Sequence, residues 1–261
     1  MAFELPSTSV FEFVLSVAQA YVGLVEDPLA NPETGLGGKL FYAGELDEAG
    51  RALVSAANIA GAATLVATAD SAAQKQALRD GVIDFAVTSL DEALRILKNE
   101  LRKRQTVSVS VAIPPETIET EMKERGVVPD LLRGDLLVAG SKKLLLPKSE
   151  AAESDFRNVP AIVTWSVNSA LPGDLAKIDE IALDCLAVDD WTARRWVRLA
   201  PRFLGRLSRE LHLLKSHMEF ATRFAEQTVA RVERGEISFA YEIRTYVRDP
   251  EKKNWMSPGT S

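Results

Sequence analysis

Between Lys39 and Leu132 short apolar runs rich in Val, Leu, Ile, Thr and Phe alternate with helical patterns, joined by short connections. The runs lie at 40–43, 64–68, 84–88, 106–113 and 127–132, with helical patterns at 48–60, 71–80, 89–104 and 115–125 between them. A helix between successive strands returns the chain to the same end of the sheet, so the strands must pair in parallel with helices covering both faces. The punctuation agrees: Ser89 stands three residues before Glu92 at capping-box spacing, Pro115 suits a first helical turn, and Gly126 closes the helix that follows. The expected fold is α/β, a Rossmann-like, mainly parallel sheet with a helical C-terminal region.

The turn after the first run is the most telling stretch within that pattern. Phe41-Tyr42-Ala43-Gly44-Glu45-Leu46-Asp47-Glu48-Ala49-Gly50 has the strand–turn–helix setting in which a glycine-rich loop lets backbone N–H groups approach a pyrophosphate. Only Gly44 and Gly50 are glycines, and Glu45, Asp47 and Glu48 put three negative charges beside the anion position. The chain has the outline of a nucleotide fold and a disfigured nucleotide loop.

The rest of the chain is organised around this core. Residues 1–37 are expected to be a leading amphipathic helix, Ser9 to Val25, and a connector, and residues 38–170 the Rossmann-like domain, including extra strands at 136–140, 143–146 and 161–167. Residues 171–248 read as a helical region, nearly continuous from Trp191 to Gly235 with a break near Pro201, then an extended stretch at 237–247; 249–261 reads as a flexible tail. Periodicity from Leu204 through Leu211, Leu214, Met218, Phe224 and Val232 suggests one long helix.

Composition narrows the function classes. A net charge of −6 over 261 residues argues against a general nucleic-acid binder. No run approaches the roughly 20 apolar residues of a membrane span, so no membrane partner and a cytoplasmic location are expected. The single cysteine, Cys185, lies in an acid-flanked helical stretch and reads as a buried small hydrophobe. His212 and His217, five apart on the expected helix, point to different faces, so no metal is expected. Gly35-Leu36-Gly37-Gly38-Lys39 lacks the first glycine and the final hydroxyl of a P-loop. Arg133-Gly134-Asp135 reads as a turn, and Lys98, Arg102, Lys103 and Arg104 as a solvated helix end. Arg194, Arg195, Arg198, Arg202 and Arg206, interleaved with Trp191 and Trp196, make 191–235 the candidate homodimer face, with a plain amphipathic helix as the other reading.

Several stretches resemble the urocanase (urocanate hydratase) family. They are Ser9–Gly23, Gly37-Gly38-Lys39-Leu40, Ala43-Gly44, Ala57–Ala62, Leu90–Ile96 and Glu124–Asp130, with a second set in 190–247 that includes Trp191-Thr192, His217-Met218 and Phe239–Arg244. The resemblance implies a domain that holds NAD⁺ as an electrophile for an imidazole-acrylate substrate, in histidine metabolism. It would make Gly44, Gly50 and Asp70 the cofactor contacts if NAD is bound at all. The family loop carries glycine where this chain has Leu46, Asp47 and Ala49, and Thr68 falls where the ribose-binding acid is expected. The segment 131–190 has no counterpart, and the outer core domain of the enzyme is not expected in this chain. The expectation is therefore a urocanase-like protein with no catalytic residues and no cofactor, acting as a binding or interaction protein. The alternative is an active urocanase-related enzyme that binds NAD or a small imidazole-like ligand, a partner chain supplying its core.

Overall fold

The structure, a computed structural model, describes residues 8–134, 158–169, 171–209, 211–248 and 255–256. The chain divides into two compact units, one of Phe13–Lys148 with Arg202–Gly205, the other of Met1–Glu12, Ser149–Pro201 and Arg206–Ser261. Among the described residues no helix is long and apolar enough to cross a membrane.

The first helix, α1 (Thr8–Val25), buries Val14, Val17, Tyr21 and Leu24 at helical spacing. The alternation then appears as β1 (Leu40–Glu45), α2 (Glu48–Ala60), β2 (Ala63–Ala67), α3 (Ser71–Arg79), β3 (Phe85–Val87), α4 (Leu90–Lys103), β4 (Val107–Val111), α5 (Pro115–Glu124) and β5 (Leu131–Leu132). The five strands form one parallel sheet in the order β3-β4-β2-β1-β5. Every residue of β2 and β4 is buried, as a sheet covered on both faces requires. On one face Leu40, Tyr42, Leu65, Val107 and Val109 pack with Leu90, Leu94 and Leu97 of α4 and with Ile118 and Met122 of α5. The opposite face is partly polar: Asn58 of α2 donates to the Val82 carbonyl at 3.1 Å and Gln74 of α3 donates to the Ser110 carbonyl at 2.9 Å. These bonds engage the two buried amide nitrogens and register both helices on the sheet, while Asn58 Oδ1 stays buried without a partner.

Side chains cap the helix starts, at Ser89 as its spacing predicts and at Asp70 as well. Asp70 accepts the Ala72 and Ala73 amides at the start of α3, and Ser89 accepts the Glu92 amide at the start of α4. Glu92 in turn accepts from the Thr88 amide at 3.1 Å, one residue before the cap.

The second unit departs from expectation. The strand expected at 161–167 forms as β6 (Pro160–Asn168), but it pairs antiparallel with β7 (His212–His217) and β8 (Ala240–Arg248), and β9 (Trp255–Met256) pairs with β8. It therefore belongs to a separate four-stranded sheet, order β7-β6-β8-β9, and not to the parallel one. Helices α6 (Pro172–Cys185), α7 (Trp191–Leu204) as far as Pro201, and α8 (Met218–Glu233) belong to the same unit. The expected long helix is interrupted because His212–His217 is extended: Leu213 and Leu214 are both buried, Leu214 opposite Val163 and Leu213 opposite Thr164. Helical spacing of Leu211, Leu214 and Met218 concealed a strand with burial on both faces. The strands expected at 136–140 and 143–146 lie outside the described residues.

Candidate functional site

In an open parallel sheet, ligands bind beyond the carboxyl ends of the strands where the chain switches direction across the sheet. Here that switch lies between β1 and β5: from β1 the chain crosses to β2 on one side, and β5 later pairs on the other. The β1–α2 turn and Arg133, the residue after β5, meet at this point.

Three features build the turn. Gly44 has φ +73°, and a Cβ there would lie 3.3 Å from Arg133 Cδ. Leu46 is buried, its amide bonded to the Ala67 carbonyl at 2.9 Å, so the turn is pinned to the end of β2. Gly50 is tightest, since a Cβ on it would come within 1.9 Å of the Glu45 carbonyl oxygen. The strand end and the first turn of α2 touch backbone to backbone, which only glycine permits.

Asp47 closes the site. Its carboxylate caps α2 by accepting the Gly50 amide at 2.6 Å. Both of its oxygens are also held by the Arg133 guanidinium, Nη1 to Oδ1 at 3.2 Å and Nη2 to Oδ2 at 3.1 Å, while Nη1 reaches the Glu45 carbonyl at 3.3 Å. Partial burial pushes the Asp47 pKa up, but the bonds from Arg133 and the Gly50 amide outweigh it and hold the carboxyl below its ordinary value. An amide at a helix N-terminus and a fork-shaped guanidinium both favour an anion, and here the chain's own carboxylate accepts from one of each, Gly50 and Arg133.

The surroundings are acidic. The Tyr42 hydroxyl donates to Glu119 at 3.2 Å; burial first, then the charges of Glu119, Glu45 and Glu116, push its pKa well above the usual phenol value. Glu48 adds a further carboxylate in the first turn of α2.

The three expected cofactor contacts lie at or beyond the carboxyl ends of the neighbouring strands β1 and β2. Gly44 and Gly50 shape a single turn, and Asp70 points back into the first turn of α3, while the Thr68 hydroxyl accepts the Asp70 amide at 3.1 Å. No glycine run opens the loop, and Asp47 occupies both the Gly50 amide and the Arg133 guanidinium. Arg133, read from sequence as part of a turn, is the residue that reasoning along the chain missed. Its partner is 86 residues away, and no local signal marks the pairing.

The other sequence candidates find ordinary partners. Arg194 donates to the Leu183 carbonyl at 2.8 Å and Arg223 to the Cys185 carbonyl at 3.1 Å, so both finish the C-terminus of α6. Trp196 is buried and its indole donates to the Leu213 carbonyl, so it belongs to the core. Cys185 is buried, and burial pushes its thiol up to about 11, away from nucleophilic use. His212 and His217 sit five apart on a strand and so face opposite sides of the sheet; His212 is buried and His217 exposed. Among the described residues no group of His, Cys, Asp or Glu is arranged to hold a metal ion.

Residues 20–136 match the family model of the urocanase Rossmann-like domain. The match spans the parallel sheet from β1 to β5, including the turn at the switch point and Arg133. The second stretch of resemblance, 190–247, lies outside the matched residues.

Proposed function

We propose, on the premise that residues 20–136 are a urocanase Rossmann-like domain, that this chain is a non-catalytic binding or interaction protein built on a dinucleotide fold whose NAD position is closed. One observation carries this reading: the Asp47 carboxylate lies on the Gly50 amide of α2 and on Arg133, where a pyrophosphate would need both. A bound dinucleotide would have to displace a charge-assisted bidentate pair and then sit beside the carboxylates of Glu45, Asp47 and Glu48, at a Coulomb cost. Fold kinship alone does not carry the chemistry of a site whose residues have changed.

The test is retention and linkage. The purified protein is expected to carry no NAD⁺ by mass spectrometry and to show no thermal shift in millimolar NAD⁺. A ligand at about 100 times its Kd would add roughly 2.7 kcal/mol and raise the midpoint by several degrees. Such a shift would sink the proposal in favour of an active urocanase-related enzyme with Gly44, Gly50 and Asp70 as contacts. Glycine restored together at Leu46, Asp47 and Ala49 is expected to raise NAD⁺ affinity.

A further inference from the structure

We infer that Asp47 and Arg133 form an internal latch, an autoinhibitory contact in which the chain supplies its own anion to the switch point and so braces the sheet without a ligand. The inference rests on the reading above and concerns how that same position is kept closed.

Geometry carries it. The Asp47 carboxylate bridges two parts of the fold that are distant in sequence, accepting the Gly50 amide of α2 and both terminal nitrogens of Arg133. β5 has only two residues, Leu131 and Leu132, paired to Phe41 and Tyr42. So short a strand contributes little ladder energy of its own, and Arg133, next along the chain, ties its end to β1 through the Glu45 carbonyl and to α2 through Asp47. Both oxygens of the carboxylate are engaged, which distinguishes this contact from a loose surface ion pair.

The latch makes a claim that a simple helix cap does not: Asp47 and Arg133 must be energetically coupled. Asp47→Ser keeps an acceptor for the Gly50 amide and loses only the guanidinium pair. In thermal melts Asp47→Ser and Arg133→Gln are each expected to lower the midpoint by about 2–4 °C, and the double variant to fall no further than the worse single. Native-state hydrogen exchange is expected to speed up at the Leu131 and Leu132 amides in all three variants. A second measurement needs no variant: added salt is expected to lower the wild-type midpoint and leave that of the double variant in place. Additive losses, or salt sensitivity equal in wild type and double variant, would overturn the latch. Neither outcome depends on NAD⁺, so the latch can fail while the closed-site reading stands, and an NAD⁺ shift in wild type would sink that reading whatever the cycle gives.

Discussion

Asp47 and Asp179 each gather two partners around one carboxylate, under opposite conditions. In the parallel-sheet unit the Asp47 side chain is 47% exposed and its Arg133 partner 25%, so water screens the pair. In the antiparallel unit Asp179 is 17% exposed and His212 7%. There Asp179 Oδ1 accepts from the Trp165 indole at 2.8 Å and from His212 Nδ1 at 2.7 Å, and the Trp165 ring stands edge-on to both His212 and Phe224. A carboxylate only accepts, so the imidazole must carry its proton on Nδ1. The contrast separates a half-exposed contact at the switch point of a sheet from a contact that holds a core together. The exposed pair is replaceable in energy and decisive in position, whereas the buried network has no substitute for a lost member.

That contrast can be broken in descending order of effect. Trp165→Ala is expected to cost about 3–5 kcal/mol in chemical denaturation, since it empties the largest fully buried side chain of its unit. Asp179→Ala is expected to cost about 2–4 kcal/mol, because it strands two buried donors, and Asp179→Asn less, because an amide oxygen still accepts. If Asp179→Ala proved as mild as Asp47→Ser, the distinction between the two carboxylates would collapse. Gly50→Ala is expected to cost about 1–3 kcal/mol, as the turn must open to admit a Cβ 1.9 Å from the Glu45 oxygen. The smallest effect is that of acid on Asp47. Its folded pKa is lowered, so its stabilisation is complete above the unfolded carboxyl value of about 4 and lost as pH falls through the lower folded value. Solvent screening keeps this under about 1 kcal/mol, so the wild-type midpoint should fall slightly faster than that of Asp47→Ser below about pH 4.

The parallel sheet was legible because its signals are local. Apolar runs of strand length alternate with helical patterns, and Ser89, at capping-box spacing from Glu92, does cap its helix; the caps by Asp47 and Asp70 were not read from the sequence. The antiparallel unit was less so. His212–His217 carries apolar residues that also fit a helical period, and the choice between the two was made by pairing with β6, a contact across some fifty residues. The site shows the same division. That Asp47 is a wrong residue for a phosphate loop can be read along the chain, but from sequence it was only a repulsive charge. Its role as the resident anion depends on Arg133, which reaches it through the fold.

The placement of the tryptophans has a practical consequence. Trp165, Trp191, Trp196 and Trp255, all four in the chain, belong to the antiparallel unit, while the parallel-sheet unit has only Tyr21 and Tyr42 as phenol chromophores. Red-edge excitation that spares tyrosine therefore lights one unit and leaves the other dark. Emission from Trp165, buried and bonded to Asp179, becomes a built-in reporter of one half of the protein. Far-ultraviolet dichroism sees both halves, so the difference between the two melting curves isolates the parallel-sheet unit without a label.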